Sequence, residues 1–271
     1  MKISKVIFLA AALGLGFSAQ AQTVNPIPVV NDNWRFSGTI AAWAPASWTT
    51  SSVGNLSKSA DSSISDNLNS AGGFAYLSAE AHKGNWGLMA DLVYWQLTGS
   101  SSFNKSAVVL GKDRNFYEGT NAQQTQTLLT VAGTYTGYRS NSLYIDGLAG
   151  VRYISSTTTV QATTEYTVGS KVRLDKTINP SYTNQTTDPV IGFKGRARLY
   201  DSSWFVPFYA DAGKGPGSNN TTWQALIGVG DAFSWGDITL AYRAMGYDLK
   251  SSRGVTNYTN AGPQLSATIN F

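Results

Sequence analysis

Apolar and polar residues alternate along most of this chain with a period of two, and helical periodicity is nearly absent. In NWRFSGTIAAWA, residues 33–44, Trp34, Phe36, Ile40 and Ala42 share one face, while Arg35, Ser37 and Thr39 take the other. The chain ends in the same rhythm, with Leu265, Ala267, Ile269 and Phe271 on one face. Pairs of such runs flank short turns. Residues 72–82 and 86–98 flank KGN, 123–139 and 142–157 flank SNS, 189–200 and 204–212 flank DSS, and 221–234 and 237–249 flank Trp235–Gly236. With 33–44 and a last run at 260–271, the pattern predicts ten strands.

Between these hairpins lie polar stretches rich in Ser, Thr, Asn and Gly, at 45–71, 98–122, 157–188, 213–220 and 250–259. Short turns and long loops thus alternate strictly. A soluble sandwich has no reason to sort its loops by length, whereas an outer-membrane barrel has short periplasmic turns and long outer loops. Ten strands also place both termini on the periplasmic side. Eight follow if the 189–212 hairpin lies outside the membrane, and twelve if 157–188 hides another spanning hairpin. The reading preferred here makes 157–188 an extramembrane extension of two strands. Within 45–71, DSSISDNLN can form one helical turn capped by Asp61 or Ser62.

The predicted class is therefore all-β, an antiparallel up-and-down transmembrane β-barrel. In lipid every backbone group must bond within the protein, so a closed barrel is the β solution, and its apolar face points outward. Trp34, Trp86, Trp204 and Trp235 fall beside short turns and mark a periplasmic aromatic girdle; Tyr153 and Trp223 mark the outer one.

Composition sharpens this picture. The first residues read MKISK, then VIFLAAALGLGFSA, then AQA, which is a basic segment, a short apolar core and a small-residue cleavage site before Gln22. The expectation is a secretory signal peptide at 1–21 and one barrel domain at 22–271, in the bacterial outer membrane. The formal charge of +4 would fall to +2 on cleavage, because Lys2 and Lys5 leave. The 8 Trp, 14 Tyr and 11 Phe exclude a disordered chain, and the absence of Cys excludes disulfides and thiolate metal sites.

Several segments carry a resemblance: KGNWGLMADLVY, DPVIG at 188–192, TWQALIGVG, the WGD turn and AYR. Across about half of the expected mature chain, the sequence resembles poorly characterised Gram-negative outer-membrane barrels, distantly similar to the small OmpA- and OmpW-type barrels. Asp231 departs from that group, standing on the lipid-facing phase where an aromatic is more usual. The resemblance implies fold and location, and no catalytic motif. A terminal aromatic after an alternating strand also resembles the signal read by the barrel assembly machinery; here it would be Leu265, Ala267, Ile269 and Phe271.

The ionisable residues fall on the other phase, facing the lumen: Arg35, Glu80, Asp91, Asp146, Arg152, Lys194, Arg196, Arg198, Asp211 and Arg243. Two readings compete. KGRAR at 194–198 puts three cations on one face, which could line a narrow path that favours anions. Alternatively, acids and bases pair across the lumen and plug it, since ten strands leave little interior space. Catalysis has a poor foothold. The omptin proteases also have ten strands, but they work with acidic residues and His near the outer rim, and the single His82 lies beside a periplasmic turn. No cofactor or metal site is expected. The long loops hold Lys58, Lys105, Lys112, Arg114, Lys171, Arg173, Lys176, Lys214, Lys250 and Arg253, a surface that lipopolysaccharide phosphates could attract.

The sequence thus leads to a non-enzymatic outer-membrane barrel, either structural or a narrow porin-like channel for small polar solutes. The alternative is a surface interaction protein, an adhesin or receptor, acting through its long loops. Expected partners are outer-membrane lipid, lipopolysaccharide and the assembly machinery, with no nucleic acid.

Overall fold

The structure is a computed structural model that describes residues 24–53, 56–215, 220–251 and 254–271. The expected signal peptide lies outside the described residues. Ten strands close into an up-and-down antiparallel ring: β1 (Trp34–Trp43), β4 (Ala71–Lys83), β5 (Trp86–Val109), β6 (Lys112–Arg139), β7 (Leu143–Val168), β9 (Ser181–Arg198), β10 (Trp204–Lys214), β11 (Thr221–Phe233), β12 (Gly236–Ser251) and β13 (Gly254–Asn270). Pairing of β1 with β13, from Ser37 opposite Asn270 to Trp43 opposite Gln264, closes the ring. Phe271 extends that seam by exchanging backbone bonds with Phe36.

Short turns gather at one end, and Gly84 in the KGN turn supplies the positive φ of 57° that a tight hairpin needs. At this end the exposed Trp34 stacks on Phe36, and Trp86 meets Tyr135 edge to face. Above this girdle the outward phase is apolar, with Ile40, Leu77, Val151, Ile191, Leu240 and Leu265 all exposed. Leu265, Ala267 and Ile269 belong to the same outward phase of β13, and the Phe271 ring lies over Gly38 on the outside. A closed ring with its apolar residues outside is a fold solvated by lipid.

The far end corrects the expectation for 98–122 and extends the one for 157–188, where two strands do run on beyond the barrel. Residues 98–122 are not an irregular loop: β5 and β6 stay paired up to a Val109–Lys112 turn, with Leu110 and Gly111 both at positive φ. In 157–188, β7 continues to Val168, then turns back as an extra strand, β8 (Lys171–Ile178), before β9 begins. That hairpin sits outside the ring, so the spanning count stays at ten. Ladder hydrogen bonding needs no apolar face, and Ser/Thr-rich alternation hides it from a hydrophobicity reading. The 28 residues of β6 would rise roughly 70 Å at ~3.3 Å per residue and a tilt near ~40°, against an apolar band of ~25 Å.

The 45–71 stretch is also built. It holds β2 (Ala46–Val53), which pairs with β13, then β3 (Leu56–Ser62) and a short helix, α1 (Ile64–Ser70). The helix cap is Ser63 rather than Asp61 or Ser62. Ser63 and Asp66 satisfy each other's backbone N–H groups in a capping box. These bonds from Ser63 hold the Asp66 carboxyl below its ordinary pKa.

Candidate functional site: the barrel lumen

Side chains of the inward phase fill the barrel in three layers. The layer nearest the outer mouth is apolar. Trp43, Val93, Trp95, Leu128, Ile154, Met245, Tyr247 and Leu249 form one buried cluster, with Tyr76 at its lower margin. Trp43 and Trp95 meet edge to face at 5.8 Å. The Tyr247 hydroxyl bonds to Gln126 on β6, which is diametrically opposite β12 in the ring.

Two buried charge clusters form the middle layer. Arg243 on β12 donates to Asp91 on β5 at 3.2 Å, to Gln224 at 2.8 Å and to Gln264 at 3.4 Å. Its guanidinium lies 4.5 Å from the Tyr76 ring centroid, and the Tyr76 hydroxyl donates to Asp91 at 2.6 Å. Four strand-to-strand steps separate β12 from β5, so this contact is a strut across the lumen. Arg152 on β7 is held by Asp211, Thr130 at 2.9 Å and Thr222 at 3.0 Å, and Tyr209 also donates to Asp211. Below this layer, opposite Lys194 in the β7–β9 ladder, Asp146 is fully buried and accepts from Thr136 at 2.8 Å and from Tyr144 at 3.0 Å.

The periplasmic layer holds the KGRAR cations, and they do not form an open ladder. Lys194 crosses the lumen to Glu80. Arg196 binds Asp237 at 3.1 Å and the Pro26 carbonyl at 3.1 Å. Arg198 turns into its own hairpin, toward Asp201 at 3.7 Å and the Ser202 carbonyl at 2.8 Å. Arg35 lies at the same end and donates to the Gly84 carbonyl at 3.4 Å. His82 is buried beside Glu80, 3.3 Å from its carboxylate. Of the two readings of the lumen, these contacts follow the paired one, because strands curved into a small ring bring opposite walls within side-chain reach.

Two lumen acids escaped the sequence reading. Asp188 and Asp237 are buried on the inward phase. The phase of β9 could have found the first, two residues before Val190; the second was absorbed into the WGD turn. With them, six acids face six bases inside the barrel.

Residues 24–33 fold across the periplasmic mouth. The Asn31 carbonyl accepts from Gly84 N at 2.8 Å, Val30 O accepts from Arg139 at 3.0 Å, and Ile27 is buried. Behind this strap lies a cavity of about 570 Å³, lined by His82, Glu80, Lys194, Arg196, Tyr144 and Asp146 among others. A separate cavity of about 150 Å³ opens at the outer mouth, between Ser47, Gln124, Gln126 and Tyr258. The apolar layer lies between the two.

No family model matches this sequence, and no curated protein matches it. Solved structures do align with it. The outer-membrane protease OmpT of Escherichia coli aligns over 92% of this chain and 100% of its own, with a TM-score of 0.53 and 8% identity. The attachment invasion locus protein Ail of Yersinia pestis aligns over 88% and 98%, with a TM-score of 0.33 and 8% identity. A FadL homologue of Pseudomonas aeruginosa aligns over 88% and 90%, with a TM-score of 0.31 and 9% identity. The match to OmpT shows the fold of an outer-membrane β-barrel, in accord with the location in the bacterial outer membrane expected from the sequence.

Proposed function

We propose that this protein is a non-conducting, non-enzymatic outer-membrane barrel whose working surface is the β-sheet it raises above the membrane. The observation that carries this reading is the filled lumen. A buried apolar layer separates the two cavities, and the charges beneath it are paired, Arg243 with Asp91 and Lys194 with Glu80 across the barrel. A hydrated path needs a continuous run of polar groups for water and ions, and the apolar layer interrupts it. The wall meanwhile continues outward through β5, β6, β7 and β8, beyond what closing a barrel requires. The lone His82 sits at the end remote from that surface, with Glu80 as its neighbour.

The test is single-channel recording of the refolded protein in a planar bilayer, with insertion confirmed by protease protection. The expected record is silent. Discrete conductance steps from the native protein would overturn the proposal and return the porin-like reading.

A further inference from the structure

Residues paired across an antiparallel ladder share a face, so register sorts the side chains of the raised sheet. One row reads Lys105, Phe116, Tyr166, Leu174 across β5, β6, β7 and β8. The row toward the tip reads Ala107, Arg114, Val168, Lys171, followed by Val109 and Lys112. The row toward the membrane reads Phe103, Glu118, Thr164, Lys176. One face therefore carries Lys105, Lys112, Arg114, Lys171 and Lys176 against the single acid Glu118. The other face carries Asp113, Glu165 and Asp175, with Glu165 and Asp175 directly opposite each other; Arg173 falls at the register shift of β8 and is assigned to neither face.

These five cations are exposed, and none has an ion-pair partner among the described residues. They differ in this from the paired cations of the lumen. Their phase is also the lumen phase: Phe103 and Lys105 continue Asp91, Val93 and Trp95 along β5 without a register break. The basic face thus looks over the barrel mouth, and the acidic face continues the lipid-facing wall. Lipopolysaccharide phosphates surround the wall from outside, where they would meet the acids. The basic face therefore suits an anion arriving from the medium.

We infer that this concave face binds an anionic polysaccharide, a chain of sugar rings bearing sulfate or carboxylate groups. Strands ~4.8 Å apart and rows ~6.7 Å apart make a patch about 15 Å by 20 Å, room for several sugar rings. Phe103, Phe116 and Tyr166 form an apolar strip through the middle of the patch, with Phe103 and Phe116 edge to face at 6.5 Å. Such a strip suits the apolar faces of pyranoses, and the flanking cations suit their charged substituents. Thr164 and, one row lower, Ser101 and Thr120 put hydroxyls on the same face for sugar hydroxyls. A nucleic acid carries the same sign of charge, and the titration below separates the two.

This inference rests on the proposed function and can fail separately from it. The full protein, in zwitterionic lipid nanodiscs, is titrated with dextran sulfate, hyaluronate, neutral dextran and single-stranded DNA. The expected result is binding to the two anionic sugars, weakened by salt, with none to dextran and weaker binding to DNA. The exposed triple variant Lys105→Gln, Arg114→Gln, Lys171→Gln should lose at least about tenfold, on the footing that phosphate-like contacts each carry a salt-dependent share. Asp113→Asn with Glu165→Gln, on the other face, should leave binding unchanged or tighter. No binding to either anionic sugar, an unchanged affinity in the triple variant, or DNA bound as tightly as the sugars would overturn the inference. A silent bilayer alongside such a failure leaves the proposed function standing, whereas conductance in the bilayer removes the proposed function itself.

Discussion

Arg243 gives the sharpest test of whether the lumen is dry. Its side chain is 1% exposed and holds one acid, two amides and an aromatic face from four other strands. Arg243→Met keeps the bulk and removes the charge. Asp91 would then remain buried with Tyr76 as its donor. Leaving one member of a buried pair uncompensated costs about 3–5 kcal/mol, or at least two decades in the unfolding equilibrium. Adding Asp91→Asn removes the stranded charge while keeping an acceptor for Tyr76, so the double variant should recover about half of that loss. The assay is guanidinium unfolding of the protein in lipid vesicles, followed by tryptophan fluorescence, for both single variants, the double and the native chain. A cost below about 1 kcal/mol for Arg243→Met, with no coupling to Asp91, is the behaviour of a solvated pair. That outcome would refute the claim that this layer excludes water, and with it the main support for a silent barrel.

Three other consequences can be measured. Replacing Trp43, Trp95 and Tyr247 together by Ser should hollow the apolar layer and produce conductance steps absent from the native protein; if it stays silent, the seal lies elsewhere. Leu110 stands at a hairpin tip with φ of 54° and is 92% exposed, so Leu110→Asn should stabilise the turn by about 1 kcal/mol, read as slower amide exchange at Val109 and Lys112. Asp66 has a folded pKa below its unfolded value, so the capping box stabilises α1 fully above the ordinary carboxylate range and fades as pH falls through the lowered value. Protection of the α1 amides, with the rate referred to the unstructured chain at the same pH, should fall on acidification in the native chain, while Ser63→Ala should already be poorly protected at neutral pH and less sensitive to acid.

The sequence by itself determined the ring. In an extended chain the pleat sends successive side chains to opposite sides whatever the neighbouring strand is, so Trp34, Ile40 and Leu265 were assignable to lipid and Arg152, Asp211 and Arg243 to the lumen from phase alone. Glycine-containing and Ser-rich turns then counted the strands. The outer hairpins were legible only in part, for a related reason: 157–188 reads as two extended strands, but β8 and the 98–122 ladder do not show. Both of their faces meet water, so 98–122 and 157–178 carry no strong apolar phase, and their order rests on backbone ladders formed only once the strands below set the register. The tertiary structure also decided every pairing inside the barrel. Arg243 and Asp91 are 152 residues apart, and Lys194 reaches Glu80 from the opposite wall. Phase says that such groups point inward. Only the curvature and closure of ten strands decide which of them meet, and so choose between an open row of cations and paired struts.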